Sequence, residues 1–191
     1  RMSYPSVELL LEIACELTGR ETCATPYFPE PVVSDPEAAG LFVAAHRGLD
    51  QPDTLHGDER FVAALALMLS RHARLGQPGP VRSERGPVRR AKDYLDAHYA
   101  DTVDLASLAD VARVSRFHLI RAFRKETGLT PHAWLSDRRV RAARGLLAAG
   151  QAPGEVALTC GFADQSHLTR AFKARVGVTP GRFRAANLDA A

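Results

Sequence analysis

The chain has 191 residues, of which 46% are hydrophobic and 25% are charged, so it suits one or two small globular domains with apolar cores. No apolar run approaches the roughly 18 residues that a membrane span requires, and we find no signal-peptide pattern. The formal net charge is +3.

That charge is divided unevenly along the chain. Residues 1–81 carry 6 basic and 11 acidic residues, a net charge of −5, whereas residues 82–191 carry 19 and 11, a net charge of +8. A basic half is typical of a protein that binds a polyanion, because each neutralised phosphate releases counterions.

The three cysteines, Cys15, Cys23 and Cys160, are odd in number and are not closely spaced. This arrangement is unfavourable for a disulfide framework and for a zinc site. We therefore expect reduced thiols in a cytoplasmic protein, with no metal and no cofactor.

The first 76 residues contain three amphipathic patterns. Asp35-Pro36 is typical of a helix start, and Gly48 is expected to close that helix. Three short helices make a thin core, so we expect this segment to end a larger upstream domain or to self-associate. The apolar stripe of the third helix, within residues 58–75, is the expected homodimer surface. The predicted helices cover residues 5–17, 36–46 and 58–74.

Residues 77–87 are rich in proline and glycine, which predicts a linker before a second domain over residues 88–186. Within that domain, a short helix, a turn and a second helix occur twice, which is the helix-turn-helix pattern. The expected fold is all-α, with two helix-turn-helix units joined by a long linking helix and preceded by the three-helix segment. The predicted helices of the second domain cover residues 88–99, 105–112, 116–127, 131–149, 156–160 and 165–176, with a short last helix after Thr179-Pro180.

One segment of the second domain is duplicated. Residues 118–123 read His-Leu-Ile-Arg-Ala-Phe, and residues 167–172 read His-Leu-Thr-Arg-Ala-Phe. Each copy follows a good capping residue, Ser115 or Asp164. A single basic helix is commonly just a solvated surface, but duplication behind a turn with the cations retained favours a binding surface.

A helical wheel separates the two faces of each copy. Leucine, alanine and phenylalanine share the buried face, and cations lie opposite with uncharged residues that differ between the copies. Arginine can bind guanine bidentately, apolar side chains can contact a thymine methyl, and hydroxyls can bond a base edge, whereas cations one turn further along meet phosphate. The expected DNA-binding residues are Arg116, Phe117, Ile120, Arg121 and Arg124 in the first helix and Gln165, Ser166, Thr169, Arg170 and Lys173 in the second.

Two alternatives stay open at these helices. Phe117 either contacts DNA or folds back onto the domain. His118 and His167 lie at the edge of the exposed face, where they either pack against a neighbouring helix or contact phosphate.

Motifs distributed over residues 88–186 carry a resemblance to a known family. They are Leu108-Ala109, His118-Leu119 with Arg121 and Phe123, Gly128-Leu129-Thr130-Pro131, Cys160-Gly161-Phe162, Asp164-Gln165-Ser166-His167-Leu168 and Gly177-Val178-Thr179-Pro180. These segments resemble the DNA-binding domain of the AraC/XylS family of bacterial transcription regulators. The resemblance implies binding to asymmetric sites near promoters, with RNA polymerase as a further partner. It places DNA contacts on Phe117, Ile120, Arg121, Gln165, Ser166 and Arg170.

Residues 1–76 also resemble the helical segment that follows the cupin-like effector-binding barrel of many such regulators. In such regulators this segment often carries dimerisation and contact with the DNA-binding domain, so the apolar stripe within residues 58–75 is a candidate surface for either contact. Phe28-Pro29-Glu30-Pro31 looks like the entry to that segment, and Arg1-Met2-Ser3-Tyr4 looks like the end of the barrel. The barrel itself is absent, so we expect this chain to be part of a longer protein whose small-molecule effector is unknown.

The leading hypothesis is a transcription regulator that inserts helices 116–127 and 165–176 into adjacent major grooves of one double-stranded DNA site. The resemblance favours an activator, with repression left open. A linking helix over residues 131–149 spans about 28 Å, whereas adjacent grooves lie about 34 Å apart. This difference predicts bent DNA or loose engagement of one helix.

Two other classes of function compete with this hypothesis. A nonspecific architectural DNA-binding protein is the alternative. An enzyme is not expected, although a related helix-turn-helix domain is fused to repair proteins in which a zinc-bound cysteine accepts a methyl group. Cys15 and Cys23 are too few and too badly spaced for that chemistry, and no nucleophile–base pair occurs elsewhere.

Overall fold

The computed structural model describes residues 5–20, 23, 25–30, 32–49, 54–75 and 86–188. These residues form ten α-helices and one isolated β-bridge, between Tyr27 and Arg74, so the predicted all-α class is confirmed. No helix in the described part of the chain is long and apolar enough to cross a membrane. The helices are α1 (Val7–Thr18), α2 (Pro36–Leu49), α3 (Thr54–His72), α4 (Gly86–Ala97), α5 (Leu105–Ala112), α6 (Arg116–Thr127), α7 (Pro131–Ala148), α8 (Pro153–Thr159), α9 (Gln165–Val176) and α10 (Pro180–Leu188).

Local capping signals place several helix ends where the sequence predicts them. Asp35 caps α2, because its carboxylate accepts a hydrogen bond from the Ala38 N–H at 3.0 Å. The two repeat helices, α6 and α9, begin and end at the predicted residues. Both end before a glycine in the left-handed region, Gly128 at φ 75° and Gly177 at φ 85°.

Several predicted boundaries were wrong, among them the start of α8, which lies at Pro153 rather than at residue 156. α3 begins at Thr54 rather than Asp58, and α4 begins at Gly86, so Gly86 and Pro87 are helical rather than part of the linker. Proline is tolerated there because the first N–H groups of a helix have no intrahelical acceptor. Gly48 does not close α2 but is buried within it, where a Cβ would lie 2.9 Å from the Cα of Gly57 in α3. Residues 77–85 of the predicted linker lie outside the described residues.

Much of α3 is buried against other helices of the same chain. The ring of Phe61 meets that of Phe42 in α2 edge-on at 6.0 Å. At the far end, Asp35 binds Arg71 at 3.2 Å and His72 at 2.9 Å. The stripe expected to form a homodimer is therefore largely occupied by α2 and by the first core. The exposed side chains of the described part of α3 are Arg60, Ala63, Ser70 and Arg71.

The two helix-turn-helix units, α5 with α6 and α8 with α9, have equivalent turns made of different residues. In the first unit, the N–H of Val114 bonds the carbonyl of Ala109 at 3.2 Å, and in the second the N–H of Phe162 bonds that of Ala157 at 2.9 Å. The residue before each donor has a positive φ, 58° at Arg113 and 76° at Gly161. The same left-handed position of the turn is thus occupied by an arginine in the first unit and by a glycine in the second.

Within the described residues, buried apolar side chains form two clusters, and α7 contributes to both. The first core joins α1, α3 and α4–α6, with Ile13 and Leu55 buried beside Leu119. The second core lies among α7, α8 and α9 and includes Leu147 and Phe172. The N-terminal helices therefore share a core with the first helix-turn-helix unit instead of forming a thin core of their own.

Candidate nucleic-acid interface

Each repeat helix is fixed by a cap at its start and by two buried side chains. The Ser115 hydroxyl accepts a hydrogen bond from the His118 N–H at 3.1 Å, and the Asp164 carboxylate accepts one from the His167 N–H at 2.6 Å. The buried side chains are Leu119 and Phe123 in α6 and Leu168 and Phe172 in α9. Burial of this face turns the opposite, basic face of both helices outward.

All ten predicted DNA-binding residues lie on α6 or α9, but they differ in exposure. Half-buried are Arg116, Phe117, Ile120 and Thr169. Exposed to solvent are Arg121, Arg124, Gln165, Ser166, Arg170 and Lys173. Three of the four half-buried residues belong to α6, so the first repeat helix is more covered than the second.

Of the five predicted DNA-binding residues of α9, all except Thr169 are exposed to solvent. The Thr169 hydroxyl donates to the Gln165 carbonyl at 2.8 Å, one helical turn earlier. Its hydrogen is therefore used within the helix, while its oxygen can still accept a hydrogen bond.

Phe117 packs back onto the first core, and so does Ile120. The guanidinium of Arg121 lies 5.5 Å from the centre of the Phe117 ring, within cation–π range. The guanidinium of Arg121 is therefore held against the Phe117 ring. The corresponding residue of the second helix, Ser166, is exposed and offers no ring.

Arg116 is held by an acidic residue of α1. The Glu12 carboxylate accepts hydrogen bonds from the Arg116 backbone N–H at 2.8 Å and from its guanidinium at 2.6 Å. Both side chains are mostly covered, with exposed fractions of 31% for Arg116 and 23% for Glu12. The hydrogen bond to Glu12 raises the pKa of Arg116 above its ordinary value.

A second carboxylate of α1 binds the same end of α6. Glu16 accepts a hydrogen bond from the Ser115 hydroxyl at 2.9 Å and lies 3.3 Å from Nδ1 of His118. His118 thus packs against α1 at the edge of the helix face. Neither glutamate was predicted to lie at this site, although Glu8, Glu12 and Glu16 recur every four residues and so form one acidic stripe on α1.

Two further acidic residues of the N-terminal segment bind the starts of α5 and α7. Asp58 accepts a hydrogen bond from the Leu105 N–H at the start of α5 at 3.3 Å, and Glu59 accepts one from the His132 N–H at the start of α7 at 2.6 Å. Burial raises the pKa of Asp58, and the Leu105 hydrogen bond opposes that shift. The N-terminal segment thus supplies carboxylates to the starts of α5, α6 and α7, where helix dipoles and free N–H groups favour anions.

The described residues contain no group of three or more histidine, cysteine, aspartate or glutamate side chains that could hold a metal ion. Burial raises the pKa of the Cys15 thiol to about 11, and burial also raises the pKa of Cys160. Both thiols are therefore protonated at neutral pH, and a protonated thiol is a weak nucleophile and a weak metal ligand.

Comparison with known proteins places this arrangement in a family. Residues 108–186 match the family model described as a helix-turn-helix domain. An uncharacterised HTH-type transcriptional regulator of Bacillus subtilis, YbfI, is 30% identical over 154 residues, covering 80% of this chain and 55% of its own length. The arabinose operon regulatory protein of Escherichia coli is 29% identical over 166 residues, covering 75% and 57%. The chain belongs to the AraC/XylS family.

A solved structure of the family contains DNA. The DNA-binding domain of AdpA, a global transcriptional factor, in complex with a target DNA, is 34% identical to this chain with a TM-score of 0.50. The match covers 52% of this chain and 91% of that one. By contrast, this AraC/XylS chain spans little more than half the length of the two curated relatives.

Proposed function

We propose that this chain is the DNA-binding part of a transcription regulator that recognises a specific duplex sequence. The observation that supports the proposal best is the pair α6 and α9. Each helix is capped, stands behind a short helix and a turn, and is buried on one face and basic on the other. The two helices insert into adjacent major grooves of one asymmetric site near a promoter.

The contacts proposed for α9 follow from its exposed side chains. Arg170 reaches O6 and N7 of guanine, Ser166 bonds a base edge, and Gln165 takes adenine. Lys173, one turn further along, meets phosphate and positions the protein without specifying the sequence. Thr169 acts as an acceptor, because its hydrogen is used within the helix.

The contacts proposed for α6 combine cations with an apolar surface. Arg121 reads a base from above the Phe117 ring, and Arg124 meets phosphate. Phe117 and Ile120 offer their uncovered surface to a thymine methyl. Arg116 contacts phosphate once Glu12 releases it.

Selection of bound duplexes from random DNA gives the site, and competition with random DNA at several salt concentrations tests the proposal. A specific regulator prefers its own site by about 10³-fold or more. A ratio below about tenfold supports the alternative, a nonspecific architectural DNA-binding protein. The differing pairs Phe117 with Ile120 and Ser166 with Thr169 favour specificity, because a nonspecific protein has no need of two different base-facing surfaces.

The partners and location of the whole protein are proposals as well. We propose transcription activation through contact with RNA polymerase, in the cytoplasm, with no catalytic role. A homodimer through residues 58–75 would use the narrow exposed side of α3, with Arg60, Ala63 and Ser70. Light scattering of this chain tests the dimer, and a monomer at high concentration would exclude it. The small-molecule effector stays unidentified.

A further inference from the structure

The two recognition helices belong to different cores that α7 connects. Leu135 of α7 is buried in the first core and Val140 in the second. Arg139 lies between these two positions and is only 5% exposed. Long helices curve and bend, so a connecting helix alone leaves the angle between two bodies adjustable. A second contact between the bodies removes that freedom.

Arg139 makes such a contact. Its Nε donates to the carbonyl of Tyr99 at 2.7 Å, and a terminal nitrogen donates to that of Asp101 at 2.9 Å, both in the loop between α4 and α5. The same guanidinium lies 6.0 Å from the ring of Phe162, in the turn of the second unit. Phe162 meets the ring of His167, in the first turn of α9, edge-on at 5.2 Å. The contacts thus run from the first unit to the start of the second recognition helix.

Gly161 lets the same loop approach the turn of the second unit. A Cβ at Gly161 would overlap the carbonyl oxygen of Ala100 and lie 2.8 Å from its Cα. The turn itself does not require glycine, because Arg113 occupies the corresponding position of the first unit at φ 58°. The close approach of the loop between α4 and α5, and not only the positive φ, therefore explains why a glycine occupies position 161.

Apolar packing does not fill this junction between the units. A cleft of about 180 Å³ remains beside Arg139 and Gly161, and it is also lined by Thr102, Val103 and Ala163. Side chains on opposite sides of the cleft do not contact each other, so they do not fix the angle between the two units. The hydrogen bonds of Arg139 and the close approach at Gly161 therefore join the two units beside this cleft.

We propose that Arg139 and Gly161 are positioning residues that set the separation and angle of α9 relative to α6. The inference rests on the proposed function, because alignment matters only when both helices read one DNA site. Neither residue lies on a recognition helix, so each acts through the loop and the turn that it holds together. When two linked units bind one site, the gain over a single unit depends on the geometry of the link.

Energy transfer in the free protein measures the alignment directly. Unnatural amino acids carry the two labels at exposed positions, Lys125 in α6 and Ala174 in α9. Gly161→Ala and Arg139→Lys are expected to shift or broaden the distance distribution, since one inserts a Cβ at the loop and the other cannot bridge both carbonyls. Gly177→Ala is the matched control, because Gly177 has φ 85° and a Cβ there meets no atom within 4 Å. A wild-type distribution in both variants overturns the proposal.

DNA binding provides the second measurement, with the selected site and a duplex cut down to one half of it. Both variants are expected to lose about tenfold or more in affinity for the complete site, while their affinity for the half-site stays at the wild-type value. Equal losses on both duplexes would contradict a positioning role.

Circular dichroism checks that the variants fold. If neither variant folds, the two residues are merely structural and the proposal fails. If the wild-type chain does not prefer its selected site over random DNA, the proposed function fails instead. The energy-transfer distances in the free protein still decide the positioning proposal in that case.

Discussion

Arg121 and Arg170 occupy the same position of the repeat but have different surroundings. Arg121 lies over the ring of Phe117, whereas Arg170 is exposed beside Ser166. A supported guanidinium loses less conformational freedom on binding than a mobile one. We therefore expect the first helix to read its guanine with a pre-positioned side chain and the second helix to order Arg170 on binding.

Arg170→Ala is expected to weaken binding to the selected site by about 1–3 kcal/mol and to relax specificity at one base pair, because a bidentate guanine contact is lost. Lys173→Ala, three residues along the same exposed face, is the matched comparison. It should weaken binding to all sequences alike and reduce the salt slope by about one. Competition binding across single-base variants of the site measures both effects. A uniform loss for Arg170→Ala would make Arg170 a phosphate contact.

Glu12→Gln is expected to increase DNA affinity, because a phosphate that approaches the start of α6 must displace the Glu12 carboxylate from Arg116. The pair is partly solvated, so the gain is roughly 0.5–1 kcal/mol. Glu8→Gln is the control, since it removes the same charge from an exposed position of the same helix. Titration of labelled DNA compares the variants. An equal increase in DNA affinity for Glu12→Gln and Glu8→Gln would mean that the effect comes from net charge and not from the release of Arg116.

At the scale of the element, helix ends are predictable where the signal is local. α6 and α9 match their predicted bounds because a capping side chain and a positive-φ glycine mark each of them. α3 was misplaced because Asp58 looks like a cap. Its carboxylate instead binds the N–H of Leu105, 47 residues away, and a tertiary contact of that kind leaves no local pattern.

Asp104→Ala tests the N-cap of α5. The Asp104 carboxylate accepts a hydrogen bond from the Ser107 N–H at 2.8 Å, and that hydrogen bond lowers the pKa of Asp104. Loss of an N-cap costs about 1 kcal/mol in the free energy of unfolding at neutral pH. Asp110→Ala, an exposed change in the same helix, should cost less.

The pH dependence of the Asp104→Ala effect follows from the direction of the shift. A carboxyl group whose pKa is lowered by folding stabilises the folded state above its ordinary pKa, and this contribution is lost as the pH falls through the lowered pKa. Urea denaturation at several pH values therefore should show a difference between wild type and Asp104→Ala that shrinks in acid. A difference independent of pH would mean that the contribution of Asp104 to the start of α5 does not depend on its charge.

At the scale of the whole molecule, the acidic and basic halves of the chain bind each other. The opposite charges, −5 and +8, are evident from the sequence, but the basic charge was interpreted as a DNA-binding surface and its ion pairs with the acidic half were not predicted. The structure shows Glu12, Glu16, Asp58 and Glu59 at helix starts of the basic half. Glu12 and Arg116 are 104 residues apart, and such pairing depends on the fold of both partners. The resemblance indicated contact between the N-terminal helices and the DNA-binding domain, but the residues that form the shared core could not be predicted for the same reason.

The length of α7 predicts the shape of the bound DNA. α7 has 18 residues, so it spans about 27 Å, whereas adjacent major grooves on one face of straight DNA lie about 34 Å apart. If the junction at Arg139 and Gly161 fixes the units, the DNA must bend to bring both grooves to α6 and α9, at a cost of roughly 1–6 kcal/mol. Energy transfer between dyes at the ends of the selected duplex should therefore increase on binding, and a half-site duplex should show no change. Footprinting of both half-sites on DNA that stays straight would contradict the bend and show instead that the units separate on binding.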